Sequence, residues 1–232
     1  MKKFLKCKNI ILSSEFLSDD RFIFSNSLEK RDIFKSILDF SKKSTRKIGM
    51  LYGLRRTGKT VLLQQWLMSM ESKEIKEEEK SVYILMNGES FDDLKADLRV
   101  LQENGYRFIA IDEISMCKDF IDYAAPLSDY FCGKGMKILI AGTDSLALFF
   151  ASHSSLFDRS SLFHTTHISF AEWCRLTKKI DIDQYLPYGG LLHLEPTCRL
   201  VTFWGLRWSP VEGCGFRPYA PVNLQGNPRR KY

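Results

Sequence analysis

Apolar stretches in this 232-residue chain are short, and none approaches the roughly 20 residues that a membrane-spanning helix needs. The amino terminus is basic, but Lys6 and Lys8 interrupt any apolar core of a secretory signal. The six cysteines are scattered and form no C-x-x-C pair, a distribution that suggests neither a zinc site nor a disulfide framework. We therefore expect a cytoplasmic protein with reduced thiols and no membrane segment.

Histidine is also scarce, and the four histidines show no spacing typical of metal ligands. Hydrophobic residues make up 44% of the chain and charged residues 27%, which is the composition of a globular domain. The net charge of +6 is mildly basic, so it is compatible with nucleic acid or an acidic partner without arguing for either. The length accommodates one α/β domain with small additions.

One segment, Gly53–Thr60, fits the pattern G-x-x-x-x-G-K-[ST] of the phosphate-binding P-loop. An apolar run over 47–52 predicts a buried strand before it, and an apolar pattern with helical spacing follows from Thr60. Strand, glycine loop and helix form the context that this motif requires. The alternative is a chance match in an ordinary strand-to-helix turn.

Each residue type in this loop has a defined part in binding phosphate. The glycines let the backbone turn tightly, so that N–H groups and the positive end of the helix point at the ligand. We expect Lys59 to reach the β- and γ-phosphates of ATP, and the Thr60 hydroxyl to bind Mg²⁺. Arg55 and Arg56 occupy variable positions that could face the phosphates or a partner. The predicted nucleotide contacts are Gly53, Arg55, Arg56, Thr57, Gly58, Lys59, Thr60 and Val61.

A second apolar strand, predicted over 106–111, ends at Asp112 and Glu113. Asp112 is expected to hold the Mg²⁺ shell through water, and Glu113 to orient and deprotonate the attacking water. The alternative is a strand that merely ends in two acidic residues. The P-loop and this strand support each other, because ligands of parallel sheets bind at the carboxyl ends of strands.

Two further positions follow the next predicted strand. Thr143 is expected to hydrogen-bond the attacking water or the γ-phosphate, although Thr143, Asp144 or Ser145 would serve equally well as a helix N-cap. Arg159 is a candidate for completing a neighbouring subunit's site at the γ-phosphate. Its alternative is a surface arginine that pairs with Asp158.

Apolar strands alternate with segments of helical spacing, which predicts an α/β fold. Because the strands are apolar throughout, we expect a parallel sheet of about five strands with helices on both faces, the three-layer sandwich of P-loop NTPases. The predicted strands are 47–52, 81–86, 106–111, 137–141 and 165–169, and the predicted helices are 28–41, 60–72, 91–102, 119–131, 145–150 and 170–174. We interpret 1–27 as an N-terminal extension without clear periodicity, 28–193 as the nucleotide-binding domain and 194–232 as an irregular tail.

The tail has a different composition from the rest of the chain. It holds five of the seven prolines and two of the four tryptophans, its basic residues are mostly arginine, and it contains no isoleucine. One interpretation is a disordered or nucleic-acid-binding tail. The other is that these residues come from a different reading frame, and the abrupt change in composition favours it.

Five motifs follow one another along the chain: the P-loop, Ile-Asp-Glu-Ile at 111–114, Ile-Ala-Gly-Thr-Asp-Ser at 140–145, His-Ile-Ser-Phe-Ala-Glu-Trp at 167–173, and Tyr-Leu-Pro-Tyr-Gly-Gly at 185–190. In this order they resemble the bacterial and archaeal AAA-type ATPases of the additional-strand, catalytic-glutamate class. The Ser-Phe-x-Glu-Trp and Tyr-Gly-Gly pieces point to a subgroup that often carries a C-terminal domain of unknown function.

The resemblance implies that Arg159 matches an arginine that follows the sensor helix. Family members continue with a helical region and a further domain. From about 194 that part is absent or replaced here, so the resemblance implies a truncated member.

The leading hypothesis is an ATPase that couples hydrolysis of ATP with Mg²⁺ to a conformational change. A GTP switch is weaker because no N-K-x-D element occurs, and a small-molecule kinase would not need Glu113 beside Asp112. A third class is a non-catalytic nucleotide-binding or DNA-associated regulator, in which a truncated domain binds ATP and hydrolyses it poorly. The expected partners are ATP and either further copies of the chain or a protein client. Nucleic acid stays open as a partner, and no membrane is expected.

Overall fold

The computed structural model describes residues 2–71, 80–120, 124–142 and 156–186. All of them belong to one compact unit, Met1–His193. The second unit, Leu194–Tyr232, lies outside the described residues. The irregular tail predicted over 194–232 therefore stays a prediction. No helix in the described ranges combines the length and apolar character that crossing a membrane requires.

A six-stranded sheet forms the centre of the structure. Its strands are β1 (Asn9–Leu12), β2 (Ile48–Gly53), β3 (Lys80–Leu85), β4 (Tyr106–Asp112), β5 (Lys137–Ala141) and β6 (Ser160–Thr165). They lie in the order β1-β3-β4-β5-β2-β6. Five strands are parallel, and β1 pairs antiparallel with β3. The predicted parallel sheet of about five strands is confirmed, with β1 as an additional edge strand.

Helices cover both faces of this sheet. They are α1 (Asp20–Ser27), α2 (Phe34–Lys42), α3 (Lys59–Glu71), α4 (Phe91–Glu103), α5 (Phe170–Thr177) and α6 (Ile182–Tyr185). Successive residues of β4 point to opposite cores: Phe108 and Ala110 join the cluster of α1, α2 and α3, whereas Ile109 and Ile111 join the cluster of α4. Burial on both faces explains the continuously apolar strands and confirms the predicted α/β three-layer sandwich.

The first 27 residues take part in this core. β1 extends the sheet, and Asp19 caps α1 by accepting a hydrogen bond from the backbone N–H of Arg21. The rings of Phe16 and Phe22 stack in the core with centroids 4.1 Å apart. The interpretation of 1–27 as an extension therefore missed a strand and a helix, because each element is too short to show a clear period.

The fifth strand predicted over 165–169 lies earlier, at Ser160–Thr165. In β6 the buried residues Phe163 and Thr165 alternate with the exposed residues Leu162 and His164. Sequence reasoning that seeks continuously apolar strands misses this alternation. The prediction was wrong because an outer strand is buried on one side only.

Two predicted helices also differ from the structure. The helix predicted over 28–41 begins only at Phe34 and ends at Lys42. The helix predicted over 119–131 ends, in its described part, in a π-helical turn, Leu127–Phe131. Residues 120, 125 and 126 before this turn are α-helical. The helix predicted over 145–150 lies outside the described residues.

Candidate nucleotide-binding site

The P-loop connects the end of β2 to the start of α3, as its motif predicts. Gly53 has φ 143° and Gly58 has φ 85°, both in the region that favours glycine. A Cβ atom at Gly53 would also lie 2.2 Å from the carbonyl oxygen of Thr165 on β6. Close packing between β2 and β6 therefore requires glycine at position 53. At position 58 glycine is favoured by the backbone conformation and not by packing, because the nearest atom to a Cβ there would be 3.9 Å away.

Lys59 lies buried at the first position of α3, with 7% of its surface exposed. Its Nζ donates hydrogen bonds to the carbonyl oxygens of Gly53 at 2.9 Å and Leu54 at 2.6 Å. Burial lowers the pKa of Lys59, and the negative charges of Glu113 and Asp112 oppose that effect. The loop thus holds a cation against neutral acceptors, where phosphate oxygens would be stronger acceptors.

Asp112 joins three elements of the site through one carboxylate. It ends β4 and is 3% exposed. Its Oδ2 accepts hydrogen bonds from the Thr60 hydroxyl at 2.7 Å and from the Tyr83 hydroxyl at 2.8 Å. Its Oδ1 accepts from the backbone N–H of Glu113 at 3.0 Å. Burial raises the pKa of Asp112 despite the opposing hydrogen bonds from Thr60 and Tyr83.

This donor set fits Mg²⁺ and a polyphosphate. The Thr60 hydroxyl and the Asp112 carboxylate are hard oxygen ligands, and they lie together beside Lys59. Within the described ranges no group of three or more His, Cys, Asp or Glu side chains could hold a metal ion. One hydroxyl and one carboxylate suit Mg²⁺, which usually takes its other ligands from water and substrate phosphates.

Glu113 follows Asp112 in an unusual backbone conformation. Its φ of 51° and ψ of 42° are left-handed, which is uncommon for a residue other than glycine. Its carbonyl oxygen accepts a hydrogen bond from the backbone N–H of Met116 at 2.8 Å, and this bond closes the turn. The negative charge of Glu113 also opposes the lowering of the Lys59 pKa by burial. The turn therefore holds the predicted general base at the carboxyl edge of the sheet beside the P-loop.

The remaining predicted nucleotide contacts lie along the loop and the first turn of α3. Arg55 and Arg56 are exposed, Thr57 is buried and Val61 is half-buried. Thr143 lies outside the described residues, although β5, which leads towards it, ends at the same edge as β2 and β4.

Arg159 lies at the other end of the sheet. Its carbonyl oxygen accepts a hydrogen bond from the backbone N–H of Ile48 at 2.9 Å, whereas the P-loop follows the far end of β2, about 17 Å away at roughly 3.3 Å per residue. Its Nε donates to Asp129 at 2.7 Å. The alternative of a surface arginine agrees with this position, but its hydrogen-bonded partner is Asp129, whereas the Asp158 carboxylate binds Lys47 at 2.6 Å.

Three residues of this region escaped the sequence analysis: Arg31, Tyr83 and Glu172. Arg31 donates to the carbonyl oxygen of Thr57 in the P-loop at 2.9 Å and pairs with Glu172. Glu172 stands in the Ser-Phe-x-Glu-Trp motif, which therefore held a signal. Tyr83 is a polar residue among the apolar residues Val82, Ile84 and Leu85 of β3, and nothing around Arg31 distinguishes it from other arginines of the chain.

The sequence also matches a known protein family. Residues 45–174, more than half of the chain, match the family profile described as AAA domain. No curated protein matches the chain significantly.

Several solved structures share the fold. The S. cerevisiae Hsp104–ADP complex is 18% identical with a TM-score of 0.53, over 78% of this chain and 28% of that one. A closed-state reconstruction of Hsp104 with ATPγS and FITC casein is 13% identical with a TM-score of 0.54, over 78% of this chain and 34% of that one. C. elegans PCH-2 is 16% identical with a lower TM-score of 0.48, over 83% of this chain and 58% of that one.

The chain thus spans less than two thirds of these relatives' own length, and the likeness to Hsp104 shows the fold alone. The family match covers β2 through most of α5, and so includes the P-loop, Asp112 and Glu113. The chain therefore belongs to the AAA domain family.

Proposed function

We propose that this protein binds ATP with Mg²⁺ and hydrolyses it. The observation that carries the proposal is the 2.7 Å hydrogen bond between Thr60 of the P-loop and Asp112 of β4, which joins the two halves of one site. Lys59 and the loop N–H groups would bind the phosphates, and Thr60 and Asp112 would hold Mg²⁺. When bound, Mg²⁺ neutralises charge on the phosphates.

Hydrolysis needs a group that activates water. Glu113 would accept the proton of the attacking water, and its place directly after Asp112 supports this role. Thr143 would contact the water or the γ-phosphate from the carboxyl end of β5. We also propose the additional-strand, catalytic-glutamate class, which is supported by the position of β5 between β2 and β4.

Arg159 would act on a neighbouring subunit. Its distance from the P-loop of its own chain argues against a role there, and its half-exposed guanidinium, paired with Asp129, lies at the surface. We propose that it does so in a homo-oligomer in which hydrolysis drives a conformational change on a protein client. A cytoplasmic location, the domain boundary at 193 and a nucleic-acid partner stay predictions.

Titration calorimetry with ATP, with and without Mg²⁺, tests the proposal. Lys59→Ala should abolish ATP binding, because the motif predicts a direct contact between this lysine and phosphate. Unchanged affinity in that variant would refute the assignment of the P-loop. Phosphate release by the parent then separates an ATPase from a regulator that only binds, and competition by GTP tests the choice of nucleotide.

A further inference from the structure

A buried ion pair contacts the backbone of the P-loop. Arg31 and Glu172 are 141 residues apart in sequence, and their side chains are only 8% and 6% exposed. The Arg31 Nε donates to Oε1 of Glu172 at 3.0 Å, and Nη2 donates to Oε2 at 2.9 Å. This bidentate arrangement fixes the orientation of the guanidinium and pairs its charge with the carboxylate.

The third nitrogen of Arg31 points at the nucleotide loop. Its Nη1 donates to the carbonyl oxygen of Thr57 at 2.9 Å and to that of Thr166, just beyond β6, at 3.2 Å. Thr57 stands between Arg56 and Gly58, whose φ angles of 65° and 85° are both positive. Arg31 therefore holds the one carbonyl group between two left-handed residues of the P-loop.

Glu172 is itself held in place by local structure. The Ser169 hydroxyl caps α5 by accepting a hydrogen bond from the Glu172 N–H at 3.2 Å, and Trp173 is buried beside it. Oε1 of Glu172 also accepts from the backbone N–H of Asp32 at 2.9 Å. Burial would raise the pKa of Glu172, but the hydrogen bonds from Arg31 and Asp32 outweigh it, so the pKa is lowered and the carboxylate stays charged.

We propose that Arg31 and Glu172 are a positioning pair that sets the backbone of the P-loop for phosphate binding. Glu172 acts through Arg31, and Arg31 acts through the carbonyl group of Thr57; neither residue is placed at the phosphates. The expected effect of this pair on nucleotide affinity rests on the proposed ATP site. Its expected effect on the conformation of the P-loop does not, because that effect can be measured in the apoprotein.

A merely stabilising ion pair is the competing explanation, because removing one partner of any buried pair destabilises a protein. The chain offers a matched control for this. Asp97 of α4 is 1% exposed, and its carboxylate accepts hydrogen bonds from the backbone N–H groups of Lys6 at 2.8 Å and Cys7 at 2.7 Å. It is a buried carboxylate that holds backbone far from the P-loop, so Asp97→Asn removes the same kind of interaction elsewhere.

The experiment compares Glu172→Gln with Asp97→Asn in the full chain. Glutamine keeps the shape of glutamate but loses the charge and one acceptor of the pair. We expect Glu172→Gln to weaken ATP affinity by about fivefold or more, the lower end of the usual coupling between sites, at a temperature where calorimetry and circular dichroism show it folded. Asp97→Asn should lower the melting temperature and leave ATP affinity near that of the parent.

Hydrogen exchange of the apoprotein gives a readout that needs no nucleotide. Amide groups over 54–58 should exchange faster in Glu172→Gln than in the parent, and Asp97→Asn should leave them unchanged. If Glu172→Gln does not fold, Arg31→Lys takes its place. Lysine keeps the charge but cannot bind the carboxylate in two places and reach Thr57 as well, so the same faster exchange is expected.

Two results would overturn the inference. One is parent-like exchange over 54–58 in the folded variants of the pair. The other is equal loss of ATP affinity in Glu172→Gln and Asp97→Asn, which would mean a general effect of stability. Failure of the ATP site looks different: Lys59→Ala would bind ATP like the parent, while the exchange results still decide the role of the pair.

Discussion

The hydroxyl group of Tyr83 donates a 2.8 Å hydrogen bond to Oδ2 of Asp112, and both residues are 3% exposed. Burial and the charge of Asp112 raise the pKa of Tyr83 well above its ordinary value. The phenol therefore keeps its proton and remains a donor throughout the physiological pH range. β3 thus supplies a buried hydrogen-bond donor to the site.

Tyr83→Phe should weaken the response to Mg²⁺. Loss of this donor makes the Asp112 carboxylate harder to keep ionised, so the Mg²⁺ concentration for half-maximal turnover should rise about tenfold, the lower end for residues that hold metal ligands. ATP binding without Mg²⁺ should change little. Turnover measured against Mg²⁺ concentration checks this prediction.

Tyr106→Phe is the matched control, because Tyr106 is a buried tyrosine at the opposite end of β4 from Asp112. It should leave the Mg²⁺ dependence unchanged. The same Mg²⁺ requirement in Tyr83→Phe and in the parent would show that the bond to Asp112 has no functional part.

Glu113→Gln should retain ATP binding and reduce turnover by about a hundredfold or more, the usual contribution of a general base. Glutamine has nearly the same shape but cannot accept the proton of the attacking water. Single-turnover phosphate release, together with calorimetry, separates the two effects. A variant that hydrolyses ATP as fast as an active parent would show that another group activates the water.

The Arg31–Glu172 pair predicts a defined dependence of stability on pH. The pKa of Glu172 is lowered from its ordinary value of 4.5, so its ionised form stabilises the fold. That contribution is complete above pH 4.5 and is lost as the pH falls through the lower value of the folded protein. Melting temperatures of the parent and of Glu172→Gln, measured from neutral to acidic pH, test the sign.

The difference between the two melting temperatures should stay constant near neutrality and shrink on acidification, because glutamine does not titrate. Asp32→Asn is a control in the same region, since Asp32 forms an exposed ion pair with Arg175 and such pairs contribute little. A difference that persists until acid unfolds both proteins would contradict the lowered pKa.

Arg159→Ala should bind ATP like the parent and hydrolyse it slowly, if a neighbouring subunit uses this guanidinium. Mixing Arg159→Ala with Glu113→Gln is the sharper measurement. The first variant offers intact sites and the second offers intact arginines, so mixed oligomers should exceed the turnover of either variant alone. Full activity of Arg159→Ala by itself would remove the arginine from the mechanism.

The fold could be predicted from the sequence for the strands that are buried on both faces of the sheet. The strands β2 to β5 have apolar residues at their centres, and the motif from Gly53 to Thr60 requires a strand before it and a helix after it. Both features depend on local sequence, and the structure confirms the strand before the motif and the helix after it.

The rest depends on contacts between distant parts of the chain. β1 is a strand because β3 offers it an edge, and nothing in four residues shows that edge. Arg31 meets Glu172 across 141 residues, and Tyr83 meets Asp112 across 29. Such pairs are selected by the folded geometry, and a single sequence contains no periodic pattern that marks them.

The tight approach between Gly53 and Thr165 affects how variants of this loop are interpreted. A methyl group at position 53 would lie 2.2 Å from the Thr165 carbonyl oxygen, so even Gly53→Ala must separate two hydrogen-bonded strands. Loss of ATP binding in that variant would therefore report damage to the sheet rather than a missing phosphate contact. Gly58, with no neighbour closer than 3.9 Å to such a group, is the glycine at which a substitution tests the shape of the loop alone.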